Sequence, residues 1–308
     1  MNDLDREVVA HLARMPESHR RLLEPLIADD APDQWLRDAL LAYLRYFVRV
    51  FERGQPRDAA ESVLASELSA LIGQEPSGDD DEDVTAAEAE LARRFADRSY
   101  RFQGGRTPPY LGPYIWARTE DRRFAVTLPG GQAEEVTVHL LHDFVIRGWL
   151  HWQTYGEQGA GGWYKQDEPD WPDGLYCVAE RYPEPLETNR AFQVSLLGHE
   201  AQHVADHRAF PGLSSSELEY RAKLVELIGF ESVEDRLAFF LTDAADDPDR
   251  PHPYAAHCIV ERLAQRLAGR PTTDVDWPAI PYEDVRREAQ ALFHEDTSRL
   301  TRAARTPA

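Results

Sequence analysis

Cysteine is scarce. Cys177 and Cys258 are the only two in 308 residues, too few for a disulfide framework. Both stand in apolar surroundings and read as small buried side chains of a protein kept in a reducing compartment. No stretch approaches the roughly 18 consecutive apolar residues of a membrane-crossing helix, and the acidic residues 1–7 contain no apolar core of an export signal. A cytoplasmic protein with no membrane partner is therefore expected. Positive charge is also in short supply: 34 Lys and Arg face 55 Asp and Glu, a net charge of −21. Without clustered cations to neutralise phosphates, nucleic acid is excluded as a partner. The glycine run 156–162 lacks both the phosphate-loop lysine and the dinucleotide spacing. The acid cluster 74–83 lacks the EF-hand spacing and reads as an exposed loop, and no repeat occurs at solenoid periods.

What remains is a chain with 42% hydrophobic residues, enough for a sizeable core. Residues 3–73 read as helices, from the spacing of Leu4, Val8, Val9 and Leu12 and from the apolar stretches 35–51 and 59–72. The aromatics Trp35, Tyr43, Tyr46, Phe47 and Phe51 read as core. Thr85, with Glu88 three residues on, opens another helix. After residues 103–109 the pattern becomes extended. Residues 114–118, 123–128 and 135–139 read as strands, 140–152 is ambiguous between helix and strand, and 163–165 and 175–182 are two more strands. From Thr188 or Asn189 onward the chain is helical, with segments to about Ala209, from Ser214, and over 232–242, 252–268 and 281–304.

The segment that organises this pattern is His199-Glu200-Ala201-Gln202-His203. Residues four apart on a helix share a face, about 6 Å apart between Cβ atoms, so two imidazoles at this spacing reach one metal ion. Glu200, next to the first, reaches a water on that ion without entering its coordination shell, as a general base must. Leu196, Leu197, Val204 and Ala205 give the segment an apolar setting. The bland alternative is a solvated helix face that happens to carry two histidines. Two ligands hold zinc weakly, so a third donor is required from another element. Downstream, Ser214 with Glu217 three residues later forms a capping box, and the helix it opens offers Glu219; Glu217, Glu226 and Asp206 compete for the role. His207 reads as a helix C-terminal histidine, since the metzincin spacing is absent.

The segment Glu219-Tyr220-Arg221-Ala222 resembles the third-ligand segment E-[FY]-x-A-D of the HtpX-like and CAAX-processing peptidases, and with His199 to His203 it is similar to the gluzincin branch of the zincin metallopeptidases. Lys223 stands where that pattern has Asp. The resemblance covers roughly residues 189–230. It implies zinc as cofactor, His199, His203 and Glu219 as its ligands, Glu200 as catalytic base and a peptide or protein as substrate. It also implies an α+β, zincin-like fold. Residues 1–104 would be an N-terminal helical region, and residues 105–308 a peptidase domain. In that domain a small, mainly antiparallel sheet (about 105–182) precedes the metal helix and a helical lobe (about 188–308). Strand 175–182 is expected at the sheet edge beside an extended substrate. Tyr254, His257 and His294 are candidates to steady the transition state. Two alternatives stay open: a zincin-like scaffold that binds metal without hydrolysing anything, and a helical interaction module.

Overall fold

Residues 34–47 carry Gln34, Arg37, Asp38 and Arg45 along one stripe and apolar side chains around most of the remaining surface, so the helix they form presses a wide apolar face into a core. The computed structural model describes residues 2–230 and 232–305, so residues 1, 231 and 306–308 of the two expected spans lie outside the described residues. The chain is α+β and divides into two compact units, Met1–Glu120 with Leu140–Ala160, and Asp121–His139 with Gly161–Ala308.

In the first unit, helix α1 (Asp3–Leu12) opens with a capping box: Asn2 accepts from the Asp5 N–H while the Asp5 carboxylate accepts from the Asn2 N–H. Helix α2 (Gln34–Phe47) is capped by Asp33 and buries Leu40, Tyr43, Leu44 and Phe47. Each such side chain contributes about 1.5–3 kcal/mol through the apolar surface it removes from water. Helix α3 (Arg57–Ile72) ends at Gly73, whose φ of 77° needs a residue without Cβ. The expected exposed loop holds for residues 74–79, but helix α4 (Asp80–Ala96) takes residues 80–83 of it and begins five residues before Thr85. The Asp79 side chain accepts from the N–H groups of Asp81 and Glu82, and Asp80 to Asp83 fill the first turn. There the positive end of the helix dipole favours acids.

The sheet is made of β1 (Arg101–Gln103), β2 (Tyr114–Thr127), β3 (Ala133–Arg147), β4 (Gly162–Lys165) and β5 (Gly174–Val178), hydrogen-bonded in the order β1-β2-β3-β5-β4. In the first unit β1 pairs antiparallel with the start of β2, Phe102 opposite Ile115. In the second, β4 pairs antiparallel with β5, Trp163 opposite Tyr176. The expected pair of strands 114–118 and 123–128 is one strand, because residues 119–122 contain neither Gly nor Pro to turn it. The ambiguous 140–152 is strand up to Arg147. At Gly148, with φ 71°, it gives way to a short helix, Gly148–Gln153. The strand expected over 175–182 ends at Val178. It has neighbours on both sides, so the sheet edge belongs to β4.

Five helices complete the second unit: α5 (His199–Ala209), α6 (Ser215–Gly229), α7 (Val233–Asp243), α8 (Pro251–Ala268) and α9 (Tyr282–Arg305). Leu224, Leu227, Phe240, Ile259, Leu263 and Val285 form a core shared by α6, α7, α8 and α9. Of the two cysteines Cys177 is buried, whereas Cys258 is only half-buried. Among the described residues no helix is long and apolar enough to cross a membrane.

Candidate metal centre

The chain approaches α5 through a π-helical segment, Ala191–Gly198, started by Asn189, whose side chain accepts from the Phe192 N–H at 3.0 Å. Such widened turns recur at functional sites. Gly198, the last residue of that segment, faces α6: a Cβ there would stand 3.5 Å from Val225 and 3.2 Å from the Gln193 carbonyl. The tight contact is with the segment's own Gln193 carbonyl, while the distance to Val225 is that of ordinary packing. The Ser214–Glu217 capping box fixes where α6 begins, and so where Glu219 sits along it.

The three donors converge. His199 Nε2 lies 3.1 Å from His203 Nε2 and 3.4 Å from Glu219 Oε2, and His203 Nε2 lies 3.3 Å from Glu219 Oε1. Ligand atoms about 2.0–2.1 Å from a tetrahedral ion are spaced by about 3.3 Å, so these separations suit one small cation. Two imidazoles and a carboxylate are also a donor set that borderline divalent metals accept. Among the described residues this is the one group of three such side chains brought within 4.8 Å of each other.

Protons fill part of that role in the metal-free protein. Burial would pull the His199 imidazole down, but hydrogen bonds to Glu219 and Glu226 outweigh it and push His199 up to about 10. Burial would likewise raise Glu219, yet hydrogen bonds from His199, His203 and His252 hold it far below the usual carboxylate range.

The competing acids are engaged elsewhere. Glu217 closes the capping box, and Asp206 accepts from Arg221 Nε at 2.8 Å. Glu226 accepts from the far side of His199, Nδ1 to Oε1 at 2.7 Å, and its other oxygen lies 3.0 Å from Arg236, which donates to Ser195 Oγ. A carboxylate on the remote nitrogen fixes both tautomer and ring orientation, so Glu226 does from one turn further what Lys223 cannot do. The Lys223 ammonium lies instead 4.8 Å from the centre of the Phe240 ring. If the three donors hold a divalent metal ion, replacing Glu226 by Gln, or Arg236 by Met, is expected to weaken its binding about 10–100-fold. Because His199 carries a proton that the metal must displace, affinity should also climb about tenfold per pH unit near neutrality. Competition titration against a chromophoric chelator measures both; unchanged affinity in the two variants would remove the orienting role.

A cleft of about 790 Å³ opens on this cluster, lined by β4 and the turn after it, by Glu200, His203 and His207 of α5, by Glu219 and by His252. Gly162 holds β4 against the π-helical segment, since a Cβ there would meet the Tyr176 carbonyl at 2.6 Å and Leu196 at 3.0 Å. The three candidates for transition-state stabilisation lie elsewhere. Tyr254 lines a separate cavity with Cys258 and Arg262, His257 stands 3.8 Å from Asp246, and His294 pairs with Gln290 at 2.7 Å. Besides His203 and His207 of α5, the cleft is lined by His252, in the first turn of α8, whose Nδ1 lies 2.8 Å from Glu219 Oε2. Sequence reasoning missed it. The available signal was the pair Pro251 and Pro253, which start a helix there and leave His252 at its mouth. In comparisons with known proteins, no family model, no curated protein and no solved structure matches the chain.

Proposed function

We propose that this chain is a zinc-dependent peptide-bond hydrolase of zincin-like fold, with His199, His203 and Glu219 as metal ligands and Glu200 as general base. The observation that carries this reading is the meeting of three donor atoms 3.1–3.4 Å apart in a cleft that Glu200 also lines. Bound zinc would polarise an amide carbonyl and lower the pKa of a water toward about 7. Glu200 takes the proton that water gives up as its oxygen attacks the amide carbon, and delivers it to the departing amine nitrogen. His252 steadies Glu219 through Nδ1, which leaves Nε2 free to face charge developing on the carbonyl oxygen.

On this reading substrate main chain would lie along β4, which is at the edge of the sheet. The Gly161 carbonyl accepts from the Val178 N–H at 2.9 Å, so the alternation of an antiparallel ladder turns the backbone groups of Gly162 and Tyr164 to the open side. An extended peptide pairing there passes the metal cluster. A second reading, a non-catalytic metal-binding scaffold, draws on the same His252: as a fourth protein donor it would close the centre, as in structural zinc sites. Assaying a peptide library with the zinc-loaded chain and its Glu200→Gln variant separates the two. Turnover that the variant loses supports the hydrolase, and no turnover by the zinc-loaded chain supports the scaffold.

A further inference from the structure

The second cavity of this unit holds a cation that no acid matches. It measures about 390 Å³, a small-molecule size, and is lined by the start of α6, one face of α8 and two residues of α9. Its two acids already have cationic partners. Asp296, 6% exposed, accepts from Arg221 Nη1 at 3.0 Å and from Arg299 Nη2 at 2.8 Å. Glu217 closes the α6 capping box and accepts from Arg299 at 3.4 Å. Arg262 is left over. Its Nη1 donates to the Tyr220 phenol oxygen at 2.9 Å, and among the described residues no carboxylate pairs with it, although acids outnumber cations 55 to 34 in the chain.

The phenol that Arg262 touches is itself incompletely satisfied. Tyr220 is 8% exposed and lines the same cavity. Its oxygen accepts from Arg262, and among the described residues its own hydrogen meets no acceptor. A buried donor without an acceptor is costly, so one is expected to be supplied from outside the chain. The guanidinium is held beside it, 5.0 Å from the centre of the Tyr220 ring. An arginine fork and a phenolic O–H side by side are donors for a single oxyanion. Tyr254, Cys258 and Arg262 follow at four-residue intervals and share a face of α8, which puts a ring and a thiol next to the charge. The cavity therefore has a cationic end and a less polar wall. One unmatched positive charge suits a monoanion, whereas a dianion such as phosphate would bring in a charge that nothing there offsets.

We infer that this cavity binds a small organic monocarboxylate, its oxygens accepting from Arg262 and Tyr220 and its apolar body lying against Tyr254 and Cys258. The site is separate from the metal cluster and independent of the peptidase reading. Consecutive helix residues point about 100° apart, and Glu219 and Tyr220 line different cavities.

The test titrates the purified full chain with benzoate, phenylacetate and hexanoate, each beside its uncharged amide, and with inorganic phosphate, followed by ligand-observed NMR. At least one carboxylate is expected to bind about tenfold more tightly than its amide. Arg262→Gln, at an exposed position, should remove about tenfold of that affinity. Tyr220→Phe, which keeps the buried ring and removes the donor, should remove about three- to tenfold. Arg208→Gln, outside the cavity, should change nothing. Failure of all three carboxylates to bind at millimolar concentration overturns the site, as do equal affinities of acids and amides. Carboxylate binding that Arg262→Gln leaves intact also overturns it. Tighter binding of phosphate than of every carboxylate overturns the ligand class.

Discussion

On the proposed hydrolase reading, Glu200→Gln is expected to lower peptide hydrolysis by about a hundred- to ten-thousand-fold, the range spanned by a positioned acid–base group, while zinc content stays at the wild-type level. The separation of the two effects follows from where the side chain stands. Glu200 lines the cleft but is not one of the three donors that meet at 3.1–3.4 Å. Glutamine keeps its size and hydrogen-bonding reach and loses the ability to accept a proton. KM should change little if substrate main chain pairs with β4 as proposed, and the loss should fall on kcat. Joint loss of metal and activity would make Glu200 a ligand, and full activity would take the base role away from it.

Arg221→Met is expected to destabilise the second unit by about 3–5 kcal/mol, because it strips the buried cation from Asp206 and leaves Asp296 only its pair with Arg299. Arg221 is 2% exposed, and Asp206 and Asp296 are 1% and 6% exposed. Its Nε donates to Asp206 at 2.8 Å and its Nη1 to Asp296 at 3.0 Å and Thr297 at 3.1 Å, with the guanidinium 4.6 Å from the centre of the Phe293 ring. The arginine therefore ties α5, α6 and α9 together one turn beyond His203. Removing it leaves two desolvated carboxylates with reduced compensation. Replacing Asp206, Arg221 and Asp296 together by apolar residues of similar size should recover most of the loss, as buried ion clusters often allow. Chemical denaturation followed through the second unit measures both, and a single substitution without effect would show that the cluster contributes nothing to folding.

The local parts of the site were legible. Four-residue spacing puts His199 and His203 on one helix face whatever surrounds them, and the capping box at Ser214 and Glu217 fixes the start of α6 from four residues of sequence. What was not legible depends on contacts distant in the chain. Glu226 and Asp206 are as plausible as Glu219 by type; only the crossing of α5 and α6 turns one toward the metal face, one behind His199 and one onto Arg221. His252 meets Glu219 from a helix more than thirty residues away. Strand order is equally non-local: the β5 sequence says that it is buried, and the pairing of β3 on one side and β4 on the other is what moves the free edge to Gly162–Lys165. The acid run at 79–83 misled for a local reason. High charge reads as loop, whereas at a helix N-terminus the same charge stabilises the first turn.

X-ray absorption at the zinc edge of the purified, zinc-loaded chain tests the central claim most directly. The account predicts one ion per chain bound by two imidazole nitrogens and by oxygen donors, all at about 2.0–2.1 Å, with the second-histidine signal and stoichiometric binding both lost in His203→Ala. A chain that takes up no zinc, or holds it unchanged after that substitution, would contradict it.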